Sequence, residues 1–333
     1  MDASVNKPMS RDPVIDLLRC IGLFLVIAAH CEFPEWFYEF REFDVVLLFF
    51  VSGMSFALSH SAAKHPQAYS AYVKHRFDRL VKPVWLFLVF FFLFFRILGR
   101  PFSPSVMAKS FLLLSGGILF LWVFRIFFCT ALINPFLHHM EQRVSPRIAA
   151  AGTVLGLLLN DMLAKLAGSV LSGTVYSVFE QLVSYTIAYG LIGFAGMSFI
   201  HDEEAGRTKS FGIYTAAFAV SLAVRHFAPV SLAKYPPSLC YCTYGLSLGS
   251  LLYLLLRKLP LPDRVMKCAG WLSGQSMSIY MWHIFAYYLL DTAAPRLLQT
   301  GGVCWMILTG GGLLLTIVQE QVMKQIGRKR ANG

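Results

Sequence analysis

The sequence predicts an all-α protein that crosses a membrane many times. Its 333 residues are 56% hydrophobic and only 14% charged, whereas soluble domains carry roughly 45–50% apolar and about 25% charged residues. Long apolar runs recur along the chain, and most approach the ~20 residues that cross a bilayer as a helix. The composition excludes a soluble enzyme, a disordered chain and a small secreted disulfide protein.

Ten apolar runs predict a bundle of ten transmembrane helices within one integral membrane domain, 1–333. The fifth run is interrupted by Asn160, Asp161 and Lys165. The first run contains Arg19 and lacks a small-residue cleavage site, so we do not expect a cleaved signal peptide. The predicted helices are 14–31, 44–60, 83–98, 111–132, 148–166, 176–200, 211–228, 239–256, 268–290 and 303–322.

The distribution of Lys and Arg predicts the orientation. Alternate connections on one side of these ten helices hold nineteen Lys and Arg, and those on the other side hold five. Basic connections stay in the cytoplasm, so we expect both termini, the 61–82 loop and the basic tail 323–333 to be cytoplasmic. The expected location is the inner or plasma membrane, with the protein embedded in the lipid bilayer. The same bias explains the net charge of +11, so nucleic-acid binding is not expected.

The first predicted helix carries three ionisable residues, Asp16, Arg19 and His30. Such residues are costly in hydrocarbon and usually face a polar cavity or one another. Arg19 and His30 are eleven positions apart, which places them on nearly the same helix face and about 16 Å apart along the axis. Two interpretations stay open: a shared functional face, or a snorkelling Arg19 with an interfacial His30.

The second predicted helix contains a run of small residues, Ser52, Gly53 and Ser55. Small residues allow transmembrane helices to approach closely. The same residues could also leave room for a substrate, and the sequence alone does not separate the two roles.

A basic cluster follows this helix. Arg76 and Arg79 are spaced i, i+3, so on a helix they present one cationic face. Such a face suits a phosphorylated ligand. The alternative is an anchor that only sets the orientation of the chain.

Further ionisable residues fall within the apolar segments: Arg125, Glu180, Arg225, His226 and His283. Each is a functional candidate in a membrane protein. Arg225 and His226 could simply reach the membrane surface, and a pair between Glu180 and Arg125 is suggested by their charges alone. For His283, a structural role in the bundle competes with a place at an acceptor site.

Two short patterns are not expected to carry chemistry. The string Gly245-Leu246-Ser247-Leu248-Gly249 matches G-x-S-x-G, but a nucleophile elbow needs a strand–turn–helix context, and this string lies in a predicted helix. Its glycines have the G-x-x-x-G spacing of helix packing. Cys240 and Cys242 have no second ligand pair nearby, so no metal site is expected.

Taken together, these residues resemble the membrane acyltransferase-3 family. The resemblance covers nearly the whole chain, although Asp44-Val45-Val46 stands where many members carry glycine or proline. The matching motifs are Arg19-x10-His30, Phe49-Phe50-x-Ser52-Gly53 and Arg76-x-x-Arg79-Leu80 with Pro83, and weaker landmarks are Leu121-Trp122, Tyr235-Pro236-Pro237 and Ser278-Ile279-Tyr280-Met281-Trp282-His283.

The resemblance implies a membrane O-acyltransferase. Its donor would be cytoplasmic acyl-CoA, with acetyl as the commonest group in the family, and no cofactor would be bound permanently. The acceptor would be a hydroxyl of an extracytoplasmic glycan, such as a surface polysaccharide or a lipid-linked sugar. Arg76, Arg79 and Lys82 would bind the phosphates of coenzyme A, and His30 would act as general base. Arg19 would orient the pantetheine arm or stabilise developing negative charge.

The remaining pocket candidates are Asp16, Ser52, Glu180 and His283. Direct transfer in a ternary complex is the preferred route, and an acyl-enzyme intermediate stays open. The main rival function is a secondary transporter for a small polar or anionic solute, which would also place charges near the membrane midplane. A sensor or a flippase-like scaffold is a third interpretation.

Overall fold

The computed structural model describes residues 12–61, 68–118 and 120–331. These residues form helices joined by loops, and no β-strand occurs among them, which confirms the all-α class. Parts of the predicted cytoplasmic segments, namely 1–11, 62–67 and 332–333, lie outside the described residues, as does Leu119 of the predicted fourth helix.

Fifteen α-helices follow one another in the described chain. Glu180–Ser184 adds one π-helical turn between α9 and α10. The helices are α1 Pro13–Ala28, α2 Glu35–Arg41, α3 Asp44–Ser61, α4 Tyr69–Leu80, α5 Lys82–Ile97, α6 Pro104–Phe111, α7 Trp122–Glu141, α8 Pro146–Val170, α9 Gly173–Phe179, α10 Tyr185–His201, α11 Glu204–Val224, α12 Leu239–Lys258, α13 Asp263–Gly274, α14 Ser276–Ala293 and α15 Gly302–Ala331.

Six helical stretches of the described chain are long and apolar enough to cross a membrane. They correspond to the second, third, fifth, sixth, eighth and tenth predicted helices, so the chain is a multi-pass membrane protein. The total of ten spans and the side on which the termini lie stay predictions. The six stretches are Glu35–His60, Tyr69–Ile97, Pro146–Val170, Gly173–His201, Leu239–Lys258 and Gly302–Ile326.

The first helix is shorter than predicted. Helix α1 ends at Ala28, and not at residue 31. The backbone N–H groups of His30 and Cys31 bond to carbonyls only three residues back, at 3.1 and 3.2 Å, a tightening typical of a helix end. His30 therefore lies in a turn just beyond α1, and not within the helix.

The predicted fourth helix, 111–132, is wrong in its first half. Helix α6 ends at Phe111 and α7 begins only at Trp122. Leu113 and Gly116 adopt left-handed backbone conformations, with φ of 56° and 82°, which a helix does not permit. Hydropathy does not detect this break because the intervening segment is itself largely apolar.

The predicted ninth and tenth segments also differ from the structure. The continuous helix 268–290 is wrong, because α13 ends at Gly274 and Gln275, with φ −98° and ψ 5°, leaves the helical conformation before α14. The basic tail 323–333 is helical as far as Ala331, because α15 continues through good helix formers such as Lys324. Its cytoplasmic location stays a prediction.

Helix α3 packs tightly in the bundle through glycine. A Cβ atom built on Gly53 would lie 1.9 Å from the carbonyl oxygen of Gly193 in α10, and one on Gly196 would lie 2.0 Å from the carbonyl oxygen of Phe50. The backbones of α3 and α10 therefore approach as closely as small-residue contacts between membrane helices allow.

The G-x-S-x-G string takes part in the same kind of packing. Gly245 of α12 faces Val46, whose Cβ would lie 2.3 Å from an added methyl group. The hydroxyl of Ser247 is buried and donates to the carbonyl of Thr243 at 2.7 Å. This serine is a helix residue without the geometry of an exposed nucleophile.

Candidate active site

One cavity of about 1320 Å³ brings most of the predicted site residues together. One part lies where α4 and the middle of α3 meet, and another lies at the N-terminal end of α3. Asp44 and Ser55 of α3, both lining residues, are eleven positions and about 16 Å apart along that helix. The predicted residues that line the cavity are Asp16, Arg19, His30, Ser52, Arg76 and Arg79.

Arg19 is held by two serines from other helices. Its Nη1 donates to the hydroxyl of Ser273 at 2.8 Å, and its Nη2 donates to the hydroxyl of Ser55 at 2.6 Å. Asp16, one turn earlier on α1, places a carboxylate oxygen 3.8 Å from Nη1. The guanidinium therefore joins α1, α3 and α13 at the cavity wall, and its orientation is fixed before any ligand binds.

His30 lies between aromatic rings at the end of α1. Its imidazole stacks on Phe120, with ring centroids 3.3 Å apart, and lies parallel to His283 at 5.3 Å. Nε2 is buried, and no hydrogen-bond partner for it is found among the described residues. The residue lines the cavity, and the described residues leave the hydrogen-bonding capacity of its Nε2 unused.

His283 supports His30 and does not line the cavity itself. It is fully buried in α14, and its ring meets the edge of Tyr280 at 4.8 Å. The hydroxyl of Tyr280 donates to the carbonyl of Phe120 at 2.8 Å. These contacts link the two rings that enclose His30 to one helix.

Arg76 and Arg79 both line the cavity from α4. The guanidinium of Arg76 lies over the rings of Tyr72 and Phe56, at 4.9 and 5.7 Å from their centroids, an arrangement that holds a cation without neutralising it. Arg79 is exposed to solvent. Lys82, the third predicted phosphate ligand, is also exposed and does not belong to the cavity lining.

Glu180 is not brought to this site. It lies in the π-helical turn before α10, and it is absent from the cavity lining. The suggested pair with Arg125 does not form: no carboxylate of the described chain lies within 4.0 Å of Arg125, whose Nη1 donates to the carbonyl of Leu113 at 2.7 Å. Arg125 thereby fastens the irregular segment before α7.

A group of four charged residues, unnoticed in the sequence, lines the same cavity. Arg41 pairs with Asp44 and, through Nη2, with Glu42 at 2.9 Å; Glu42 also forms an ion pair with Lys234, whose Nζ lies 2.7 Å from Oε2. We call these four residues the ion quartet. Burial alone lowers the pKa of Lys234, but Asp44, Tyr235 and Glu42 outweigh it and raise that pKa above its ordinary value, so the ammonium stays charged.

One known protein family matches nearly the whole chain. The family described as an acyltransferase domain, acyltransferase-3, matches residues 12–318. No match was found with the curated proteins or with the solved structures. Because the match extends over nearly the whole chain, and includes every residue of the cavity lining except Gln319, the chain belongs to the acyltransferase-3 family of membrane acyltransferases.

Proposed function

We propose that this protein is a membrane O-acyltransferase that moves an acyl group, preferably acetyl, from cytoplasmic acyl-CoA to a hydroxyl of an extracytoplasmic glycan. The observation that carries the proposal is the single cavity that contains Arg76 and Arg79, then Arg19, and finally His30. Those are the groups needed to bind a phosphorylated donor, to guide its arm and to activate an acceptor.

The donor end of the site is the basic face of α4. Arg76 and Arg79 offer charge-assisted hydrogen bonds to the phosphates of coenzyme A. Arg76 keeps a buried Nε for which no partner is found among the described residues. The pantetheine arm then runs past Arg19 towards His30. Arg19 lies nine residues, or about 14 Å, before the last residue of α1, Ala28, and His30 lies beyond that end, so orienting the arm is the role that the position of Arg19 favours.

The transfer step uses His30 as general base. Its neutral Nε2 takes the proton of the acceptor hydroxyl while that oxygen attacks the thioester carbonyl carbon. A carbon–oxygen bond forms, the carbon–sulfur bond breaks, and the coenzyme A thiolate leaves and recovers the proton from His30. The ring is positioned for this role because Phe120 and His283 restrict its rotation.

The proposal is tested with labelled acetyl-CoA in membranes that contain the protein. Wild type should transfer label to envelope glycans, and His30→Ala should not. His139→Ala, which removes an exposed histidine outside the cavity, is the matched control and should behave as wild type. Equal transfer by His30→Ala overturns the catalytic assignment. No transfer by any of the three, together with gradient-driven solute movement, would identify a transporter.

A further inference from the structure

The ion quartet is an unusual group for a membrane protein. Its members are Arg41, Glu42, Asp44 and Lys234, each less than one-tenth exposed. All four line the cavity that contains His30. Removing charges from water is expensive even when they are paired, and such groups inside membrane proteins are functional candidates by default.

The loop that carries Lys234 is attached to α2 by Glu39, and not by the ion quartet alone. Glu39 of α2 accepts from the backbone N–H groups of Val230 and Ser231 at 2.8 and 3.3 Å. This contact fastens the loop that carries Lys234 to α2. Glu39 does not line the cavity, so the attachment of the loop does not need charges that face the cavity.

The ion quartet has unused hydrogen-bonding capacity. Arg41 Nε is buried, and no partner for it is found in the described part of the chain. Leaving a buried charged donor unpaired is unfavourable. Arg41 and His30 both line the cavity, and each has a buried nitrogen for which no partner is found among the described residues.

The chemistry of this end of the cavity indicates the kind of ligand. Two cations and two carboxylates give no net charge, and they offer both donors and acceptors to hydroxyl groups. The rings of Trp122 and Tyr235 also line the cavity and meet at nearly right angles, 80°, with centroids 6.0 Å apart. Aromatic faces suit the C–H surface of a sugar, whereas an anionic ligand would face Glu42 and Asp44.

We infer that the ion quartet, with Trp122 and Tyr235, is the acceptor subsite and that it binds an uncharged sugar ring with one hydroxyl directed towards His30. This inference rests on the proposed function. It assigns acceptor recognition to the connections 32–43 and 229–238, which the distribution of Lys and Arg predicts to be extracytoplasmic and which contain Arg41, Glu42 and Lys234, together with the first residue of α3.

The test uses purified protein in lipid nanodiscs, with acetyl-CoA as donor. The acceptor probes are methyl β-glucoside and methyl β-galactoside, compared with their uronic acid counterparts. Release of coenzyme A is followed against probe concentration, and the dissociation constant of acetyl-CoA is measured separately. Wild type should respond to a neutral glycoside and not to the uronides.

Glu42→Gln and Lys234→Met should each raise the neutral glycoside concentration for half-maximal release by about tenfold or more, because a site built to bond hydroxyls loses a charged partner. The dissociation constant of acetyl-CoA should not change. Lys258→Met, which breaks an exposed pair with Glu204 of 3.1 Å, is the matched control. Tyr235→Leu tests the aromatic face while all four charged residues are kept, and it should weaken the glycoside response in the same way.

Unchanged glycoside dependence in Glu42→Gln, Lys234→Met and Tyr235→Leu would overturn the inference, and so would a preference of wild type for the uronides or a failure of both glycosides to accelerate release. These results differ from a failure of the proposed function. In that case wild type neither binds acetyl-CoA nor acylates native envelope glycans.

Discussion

The imidazole rings of His30 and His283 lie face to face, 4° from parallel, with centroids 5.3 Å apart. One ring belongs to the turn after α1 and the other to the interior of α14. A histidine near each end of the chain is therefore part of one site. The pair explains how a residue beyond the end of its helix can hold a fixed orientation, which the general base that we propose would require.

We expect His283 to hold His30 in place through the shape of its ring, and not through its ring nitrogens. His283→Ala opens space behind His30 and should lower kcat by roughly tenfold or more, since small displacements of a catalytic group are costly. The affinity for acyl-CoA should stay the same. His283→Phe keeps a flat ring and should recover most of the rate. Kinetics of acyl transfer check both variants, and a Phe variant as slow as the Ala variant would show that the ring nitrogens matter.

Ser55 and Ser273, which accept hydrogen bonds from Arg19, should each contribute measurably to the use of acyl-CoA. Ser55→Ala and Ser273→Ala each remove one bond to a guanidinium, of the kind that contributes about 1.5–3 kcal/mol. We expect kcat/KM for acyl-CoA to fall by roughly tenfold in each. Ser169→Ala is the control, because that exposed hydroxyl bonds only within its own helix, to Leu166 at 2.8 Å. If Ser55→Ala and Ser273→Ala lose no more kcat/KM than Ser169→Ala does, the result would argue against the view that these hydrogen bonds orient Arg19.

The α4 arginines should determine donor binding. Arg76→Ala and Arg79→Ala should each weaken acyl-CoA binding by roughly tenfold at low salt, and raised salt should reduce the difference for the exposed Arg79. Because Lys82 is exposed and outside the cavity, Lys82→Ala should have a smaller effect. Equilibrium binding of acyl-CoA measures the affinity of each variant, with Arg143→Ala as the control. Unaltered affinity in the Arg76→Ala, Arg79→Ala double variant would contradict the phosphate site.

Gly53 should tolerate no side chain. In Gly53→Ala the new methyl carbon would lie 1.9 Å from the carbonyl oxygen of Gly193, and forcing α3 away from α10 should cost about 2 kcal/mol or more. Gly152→Ala in α8 meets nothing within 4 Å, so it should be neutral or gain up to about 1 kcal/mol of helix propensity. Thermal unfolding in detergent compares them, and equal midpoints would refute this packing argument.

The parts of the fold that the sequence predicts are those that depend on hydropathy. The stretches Pro146–Val170 and Leu239–Lys258 appear as apolar runs because a lipid-facing helix needs little else. The interruption near Gly116 falls within an apolar run and depends on backbone conformation, which such a run does not report. The interruption at Gln275 falls in a short polar stretch, 273–278, that the predicted helix 268–290 passed over. Helix ends and breaks were therefore the main errors.

Some residues of the candidate site can be predicted from the sequence, and others cannot. Arg19 and His30 stand out because ionisable groups are rare in apolar runs. Ser55 and Phe120 do not stand out, since serine and phenylalanine are common throughout the chain. The ion quartet forms from Arg41 and the distant Lys234, and only the folded chain brings these together. The one local signal for it was the row of charges around Arg41 immediately before the second predicted helix.

The most direct test of the account measures a single turnover of acyl transfer across sealed proteoliposomes. Labelled acetyl-CoA is supplied at the side of Arg76 and Arg79, and the native glycan acceptor is enclosed at the opposite side. We expect that wild type acylates the enclosed glycan and that His30→Ala still binds acetyl-CoA but transfers at least about a hundredfold more slowly. Transfer by His30→Ala at the wild-type rate would contradict it.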